Sequence, residues 1–407
     1  MAKTSRRDFL RQLAFAPKKS ADRADVLVCV FLRGGADTLN MLIPTSDDLY
    51  YSTRPTLAIP APGKGKKAAE SGLKLDDFYA LHPRMAPLLD LYHGGKLAFI
   101  QGVGSDNPSG SHFEAQDQME HGLAYGQKVG GGWLGRFLQQ ANGQQHSPLC
   151  AVCIGPSVPE SLRGAPSASA LRTVDDIQLH ATLKEQSVIT AALAKLYGAD
   201  TTLLNRSGLD TLDLVNKLHD LRLVKYQPAG GADYPKGDFG NGLREIARLI
   251  KANVGLRVAC LDIGGWDTHF FQGTAQGIQA ENIDVLSKGL AAFQTDLGTD
   301  PGKVCTLVMT EFGRRTYENS SLGTDHGKAF AMIAMGSHIR GGAVYGAYPG
   351  LKQQETDVLG PSGLKIETDY RSVFSEILES MDSGHHERVF PQFQSTRIGF
   401  VNSSRTS

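Results

Sequence analysis

The sequence lacks any apolar run close to the ~20 residues that a transmembrane helix needs. It also lacks an excess of charge of either sign, because 42 Lys and Arg residues balance 42 Asp and Glu residues. Nucleic acids and anionic membranes favour a basic surface, so this balance supports neither partner. Hydrophobic residues at 41% and charged residues at 21% argue against wholesale disorder. We therefore expect a globular chain with no nucleic-acid partner and no transmembrane segment, whose oligomeric state the sequence leaves open.

Cysteine is scarce, and its number is odd. Most of the cysteines lie in apolar runs, which is typical of small buried hydrophobic residues. Cys150 and Cys153 form a C-x-x-C pair, but residues three apart in a strand point to opposite faces. A redox or zinc role is therefore weakly supported for the five cysteines, which are Cys29, Cys150, Cys153, Cys260 and Cys305.

The amino terminus resembles the front half of a twin-arginine export signal. Arg6 and Arg7 precede Phe9 and Leu10, but the apolar segment that follows contains Arg11 and ends by Pro17. A usual apolar core has ~7–15 residues, so this one is truncated. We predict that residues 1–25 form a poorly ordered, twin-arginine-like segment that exports inefficiently. The periplasm or cell envelope and the cytoplasm both remain open as locations.

Short apolar runs that end at or near glycine are the main structural signal. Such runs are continuous rather than alternating, which indicates strands buried on both faces, as in a parallel sheet covered by helices. The runs occupy residues 26–32, 96–100, 149–154, 257–263, 303–310 and 329–335. We predict that 26–32, 257–263 and 303–310 are neighbouring strands of one mainly parallel sheet.

Helical patterns lie between these runs, at 86–93, 111–120, 242–252, 280–297 and 369–381, with two more helices within 182–224. Alternating strands and helices are typical of an α/β fold. The sequence therefore predicts a doubly wound, mainly parallel sheet with helices on both faces. We expect it to form one domain over residues 26–400, with a helical insertion near 180–225.

Polar residues follow several of these strands. In an open parallel sheet, ligands bind beyond the carboxyl ends of the strands, where the loops converge. Carboxylates and imidazoles together suit divalent cations such as Zn²⁺, Mn²⁺, Ca²⁺ or Mg²⁺. Asp267 and His269 share one face of an extended segment, so both could reach one ion. An Asp that caps a loop and a His that makes one structural hydrogen bond would give the same pattern. The metal-ligand candidates are Asp37, Asp267, His269, Glu311, Asp325 and His326.

Ser111 opens the helix predicted at 111–120. With Glu114 it matches a capping box, in which the Ser side chain accepts a hydrogen bond from the helix backbone. The same position also suits catalysis, because a helix amino terminus favours an oxyanion and a nearby cation activates a hydroxyl. Arg33 and Arg314 are candidates for binding an anionic substrate through bidentate contacts. A solvated loop is the alternative for Arg314.

Five sequence blocks, at residues 31–37, 111–113, 264–269, 310–314 and 324–327, resemble the motifs of the sulfatase-like "domain of unknown function 1501" family. That family is similar to a branch of the alkaline-phosphatase/sulfatase superfamily, whose members hydrolyse phosphate or sulfate esters. The resemblance implies an alkaline-phosphatase type of sheet. It places Asp37 near the first metal-binding acid, Ser111 at the nucleophile position, and Asp267 with His269 as one metal pair. Glu311 and His326 match later ligands.

Two departures from the superfamily pattern matter. Arg33 stands where the first Asp is expected, and residues 310–313 supply one ligand where two are usual, so one ion is easier to hold than two. We predict a metal-dependent hydrolase or transferase that acts on a small anionic ester or envelope glycan, phosphate before sulfate. Ser111 would attack or orient a water, His112 would carry a proton, and Arg33 and Arg314 would bind the oxyanion. The alternative is a non-catalytic cell-envelope binding or scaffold protein that retains a partial metal site.

Overall fold

The computed structural model describes residues 25–140, 147–176, 183–222, 225–298, 303–352, 363–381 and 386–402. The prediction for the twin-arginine-like segment lies, apart from Asp25, outside these residues. Within them, none of the helices combines the length and the apolarity that crossing a bilayer requires.

A nine-stranded sheet forms the centre of the fold, with the strand order β11-β5-β10-β9-β1-β8-β6-β7 and with β12 also paired to β5. Its strands are β1 (Val26–Leu32), β5 (Leu97–Gly104), β6 (Ala151–Ile154), β7 (Ser169–Leu171), β8 (Val258–Ile263), β9 (Val304–Thr310), β10 (Phe330–Gly336), β11 (Val344–Tyr345) and β12 (Thr368–Asp369). A small antiparallel sheet contains β2 (Leu42–Pro44), β3 (Leu73–Lys74) and β4 (Tyr79–Leu81).

The predicted neighbours are confirmed, because β1 pairs in parallel with β8 on one side and with β9 on the other. All six predicted runs are strands, and the sheet is mainly parallel. β10 differs, since it runs antiparallel to both β9 and β5. An unbroken apolar run reflects burial on both faces and carries no information about strand direction.

Helices cover both faces of the sheet, as predicted. Along β1, Val28 and Val30 pack in one core, while Leu27 and Cys29 pack in the other. The helices are α1 (Asp48–Thr53), α2 (Leu89–His93), α3 (His112–His121), α4 (Trp133–Gln140), α5 (Leu183–Tyr197), α6 (Leu203–Arg222), α7 (Asp238–Ala252), α8 (Ile278–Leu297), α9 (Tyr370–Met381) and α10 (His386–Val389). Of these, α7 and α8 contribute to the first core, and α3, α4 and α9 contribute to the second.

Two smaller predictions have clear outcomes. The two helices predicted within 182–224 are α5 and α6, and Leu214 and Leu218 of α6 are buried. The five cysteines are free and buried, which confirms that they act as small hydrophobic residues. Helix α4 was not predicted. It places Trp133 against Phe374, with ring centroids 4.3 Å apart, in the second core.

Candidate metal centre

Strand direction brings four segments of the chain to one edge of the main sheet. Residues that follow β5, β8 and β9 lie at the edge where β1 ends, because these strands run parallel to β1. Residues that precede β10 lie at this edge too, because β10 runs the other way. The edge therefore receives His112 after β5, Asp267 and His269 after β8, Glu311 after β9, and Asp325 and His326 before β10.

Three imidazoles and one carboxylate meet at this edge. The Nε2 atoms of His269 and His326 lie 3.0 Å apart, and Asp267 Oδ1 lies 3.0 Å from the first and 3.1 Å from the second. His112 Nε2 lies 3.4 Å from Asp267 Oδ2, and His112, Asp267 and His326 offer ligand atoms that are all within 4.8 Å of one another. Ligand atoms around a tetrahedral zinc ion lie about 3.3 Å apart, given zinc–nitrogen bonds of ~2.0–2.1 Å.

The other nitrogen of each imidazole has its own acceptor. Nδ1 contacts Glu311 Oε1 at 2.8 Å in His112, Asp325 Oδ1 at 2.9 Å in His269, and the Gly110 carbonyl at 2.8 Å in His326. Ionised carboxylates and carbonyls only accept hydrogen bonds, so each Nδ1 donates. In the neutral imidazole, each Nε2 then carries an unprotonated lone pair that points to the centre. Metal-binding histidines are oriented in this way by an outer layer of acceptors.

The fit of a cation can be judged from the polar atoms left without partners. His112 Nε2 is buried and makes no hydrogen bond, because its approach to Asp267 lacks the necessary geometry. With neutral imidazoles, the Nε2 atoms of His269 and His326 and the Asp267 carboxylate are acceptors in close contact, and Arg314 already pairs with Asp267 Oδ1. Such a group is electrostatically unfavourable by itself and favourable around a positive charge. The residues present therefore fit a divalent cation.

Electrostatics keeps the acidic groups of the centre ionised. Burial raises the pKa of Glu311, but hydrogen bonds from His112 and Gln116 outweigh it and the net pKa is lowered. Burial likewise opposes ionisation of Asp267, yet the hydrogen bond from Arg314 lowers its pKa to about 2. The hydrogen bond to Glu311 raises the pKa of His112, whereas burial lowers the pKa of His326.

Arg314 is fully buried and has an extensive set of protein partners. Its guanidinium donates to the carbonyls of Gly34, Gly35 and Thr324, and Nη2 donates to Asp267 Oδ1 at 2.6 Å. Its contacts hold the loops after β1, β8 and β9 together.

Arg33 also pairs within the protein. It contacts Asp262 at 3.0 Å, and it forms a salt bridge with Glu120. The two arginines that the sequence indicated for substrate binding are thus both paired with carboxylates.

Asp37 does not join the imidazole cluster. Its side chain is fully buried, and Oδ2 accepts hydrogen bonds from Arg54 at 2.6 Å and from Gln272 at 2.7 Å. The predicted ligand positions therefore divide into three groups: Asp267, His269 and His326 at the centre, Glu311 and Asp325 behind imidazoles, and Asp37 deeper in the protein.

Ser111 precedes the first residue of α3, as the sequence indicated, but the predicted capping box is wrong. Its carbonyl accepts from Ala115 N at 3.0 Å, while its side chain makes no cap hydrogen bond. In the preceding turn, Asn107 Oδ1 accepts from Ser109, whose Oγ accepts from Ser111 N at 3.1 Å. Ser111 is thus held by its backbone, between Gly110 and His112, which both contact the cluster.

Exposed phenylalanines adjoin the cluster. Phe113 follows His112, and Phe270 and Phe271 follow His269, with side chains that are 87%, 65% and 71% exposed. Phe271 has a φ of +46°, a conformation that is costly for a residue with a side chain.

Close backbone contacts explain two glycines of the loops that carry the cluster. Gly34 has a φ of +120°, and a Cβ there would lie 2.7 Å from the Asp267 nitrogen. A Cβ at Gly323 would lie 2.2 Å from the His269 carbonyl oxygen. The loops that carry the cluster therefore pack backbone against backbone.

Sequence reasoning assigned His112 to proton transfer and missed several supporting residues. Gln116 donates to Glu311 at 2.8 Å, and Asn319 donates to Asp325 at 3.0 Å. The i, i+4 spacing of His112 and Gln116 on α3 is a signal that could have indicated a shared partner. No pattern in the sequence pointed to Asn319 or to Gln272.

Comparisons with known proteins identify the family. A family model described as "Protein of unknown function (DUF1501)" matches residues 24–405. No curated protein sequence matches the chain. A solved structure of a 2-O GAG sulfatase is similar at 8% identity and a TM-score of 0.28, over 78% of this chain and 65% of that one. This chain thus spans less than two thirds of that protein's length.

Proposed function

This chain belongs to the family described as "Protein of unknown function (DUF1501)", and on that premise we propose that it is a metal-dependent hydrolase of anionic esters, phosphate before sulfate. The convergence of three imidazole Nε2 atoms on the Asp267 carboxylate carries the proposal. Such an arrangement does little for packing and leaves acceptors facing one another. A bound cation would make the same arrangement electrostatically favourable.

The donor set favours one zinc-like ion. Imidazole nitrogens suit borderline cations, whereas Ca²⁺ and Mg²⁺ prefer a shell of oxygen atoms. We assign Asp267, His269 and His326 as ligands, and we add His112, which sequence reasoning had treated as a proton carrier. Glu311 and Asp325 then act through the imidazoles they contact. These four side chains would hold the ion, and His112 is the one that would also lie beside Ser111.

Ser111 is the proposed nucleophile. The chemistry that a cation would supply at the cluster is Lewis acidity toward an ester oxygen and a lower pKa for a nearby hydroxyl. Ser111 lies beside His112 at the amino terminus of the ten-residue helix α3, where free backbone N–H groups favour an oxyanion. Its hydroxyl is not used as a cap.

A second candidate is a non-catalytic binding or scaffold protein that keeps the metal site. The pairing of Arg33 with Glu120 and Asp262, and of Arg314 with Asp267, supports it. Both guanidinium groups are already engaged, and an anionic substrate would have to compete for them. This candidate retains the metal and lacks turnover.

Metal content tests the proposal first. Protein purified without chelators or a metal-binding tag should contain about one zinc-like ion per chain by elemental analysis, as a single four-ligand site requires. His112→Ala and His326→Ala should each lose most of it and remain folded. His93→Ala is the matched control, because His93 is exposed at the end of α2, at the opposite edge of the sheet. Equal metal in parent and cluster variants would refute the site.

Turnover separates the two candidates. The metal-loaded protein is assayed with aryl phosphate and aryl sulfate monoesters, and the hydrolase predicts activity that falls with metal content across the variants. Ser111→Ala should keep the metal and lose turnover if the hydroxyl attacks. A metal-loaded parent without turnover on either ester class would favour the binding protein.

A further inference from the structure

Gln272 is a fully buried amide that lies between two loops of the metal centre. Its Oε1 accepts hydrogen bonds from Thr268 Oγ1 at 2.9 Å and from Thr324 Oγ1 at 2.7 Å. Its Nε2 donates to Asp37 Oδ2 at 2.7 Å. One side chain thus makes three hydrogen bonds to three different segments of the chain.

Each threonine lies next to cluster residues. Thr268 stands between Asp267 and His269, in the loop after β8, and Thr324 lies two positions before His326, in the loop before β10. The backbones of the two loops also meet, since Thr324 N donates to the Thr268 carbonyl at 3.1 Å. The Gln272 amide oxygen therefore joins the two loops within two residues of three proposed ligands.

The far side of Gln272 is anchored to the turn after β1. Asp37 is fully buried and forms a salt bridge with Arg54 at 2.6 Å. Gln279 donates to the Asp37 carbonyl at 2.8 Å. The amide of Gln272 consequently cannot shift without breaking a hydrogen bond to a rigid, buried carboxylate.

We propose that Gln272 is a positioning residue that sets the spacing of the two metal-binding loops, an inference that rests on the proposed metal site. A metal site requires ligand atoms within about 0.2 Å of their ideal distances. Loops alone do not hold side chains to that accuracy. The shared amide oxygen fixes Thr268 relative to Thr324, and so fixes Asp267 and His269 relative to His326. This role gives Asp37 a function outside the cluster.

Gln272→Met tests the proposal, because the Met side chain has a similar length but neither donates nor accepts the hydrogen bonds of the Gln272 amide. Gln279→Met is the matched control: Gln279 is equally buried and bonds to the same Asp37, but its side chain makes no hydrogen bond to either threonine. Zn²⁺ affinity is measured by competition with a chromophoric chelator. We expect Gln272→Met to weaken it by about 10- to 100-fold, the usual effect of losing an outer-layer partner. Gln279→Met should stay within about threefold of the parent.

Two further measurements separate positioning from a general loss of stability. The visible spectrum of bound Co²⁺ reports ligand geometry, and it should change in Gln272→Met and not in Gln279→Met. Thr268→Val and Thr324→Val should each weaken Zn²⁺ binding, and either added to Gln272→Met should have little further effect, because the shared bond is already lost. The threonine variants also keep the test decisive if Gln272→Met does not fold.

The outcomes are distinct. Parent-like affinity and Co²⁺ spectrum in Gln272→Met, or an equal loss in Gln279→Met, would overturn the positioning role and leave the metal site standing. A parent that binds neither Zn²⁺ nor Co²⁺ would refute the metal site, and the positioning role would fall with it.

Discussion

Replacing Glu311 should have two very different results, depending on the substitute. Glu311 is fully buried, and Oε1 accepts hydrogen bonds from Gly34 N at 2.9 Å, His112 Nδ1 at 2.8 Å and Gln116 Nε2 at 2.8 Å. Ala leaves all three donors without an acceptor, at roughly 1–3 kcal/mol each. Because His112 is partly exposed, we expect a loss near the low end, about 3–5 kcal/mol. That is a large part of the ~5–15 kcal/mol that stabilises a typical domain.

The variant Glu311→Gln should preserve the fold and weaken the metal site. The amide oxygen can replace Oε1, and its NH₂ group can donate to Thr310 Oγ1, which itself donates to the Leu32 carbonyl at 2.8 Å. What is lost is the negative charge behind His112. Loss of an outer-layer carboxylate costs about 10- to 100-fold in metal affinity, or about 1.4–2.7 kcal/mol.

Urea unfolding in the presence of a chelator measures stability, and Zn²⁺ competition measures affinity. Glu376→Gln is the control, because Glu376 is a buried carboxylate that accepts from the backbone N–H groups of Ile398, Gly399 and Val401, in the carboxyl-terminal segment. It should leave Zn²⁺ affinity unchanged. The reasoning is refuted if folded Glu311→Gln binds Zn²⁺ as tightly as the parent, or if Glu311→Ala is as stable as the parent.

Three further predictions concern stability alone. Ser111→Ala should change the free energy of unfolding by less than about 0.5 kcal/mol, because no cap hydrogen bond is lost; a loss near 1 kcal/mol in urea unfolding would restore the capping role. Arg314→Lys should lower the free energy of unfolding by about 3–5 kcal/mol, because one ammonium cannot replace a guanidinium that joins three loops around Asp267. A parent-like melting temperature would contradict this. Phe271→Gly should raise the free energy of unfolding by about 1 kcal/mol, because glycine adopts the positive φ without strain. A decrease in that free energy, measured by calorimetry, would mean that the exposed ring makes stabilising contacts.

The fold was largely predictable because unbroken apolar runs are a strong signal for buried strands. The run at 26–32 coincides with β1, and its two predicted neighbours are β8 and β9. The edge at which the polar residues gather was predictable for the same reason. His326 reaches that edge only because β10 is antiparallel, and apolarity does not specify direction.

The roles within the site were less predictable. Whether a carboxylate faces a metal ion or the Nδ1 of an imidazole depends on shifts of a few ångströms, and residue type does not encode them. Residue type therefore predicts Glu311 and Asp325 as ligands, whereas the structure places them behind His112 and His269. The capping box of Ser111 matches by pattern, but the Ser111 side chain makes no cap hydrogen bond, and its backbone N–H donates instead to Ser109 Oγ.

The cluster is assembled from segments far apart in the chain, and this has a consequence for folding. His112 and Glu311 are 199 positions apart, and Asp267 and His326 are 59 positions apart. Contacts of such long range form late, because closing a long loop costs conformational entropy before the new contact contributes any stabilising free energy. A cation would therefore bind the finished sheet and not its precursors, adding about 2.7 kcal/mol of stability at a free concentration of 100 times Kd. The metal-loaded fraction of a preparation would then equal the fraction of chains in which β5, β8, β9 and β10 are all correctly paired in the sheet.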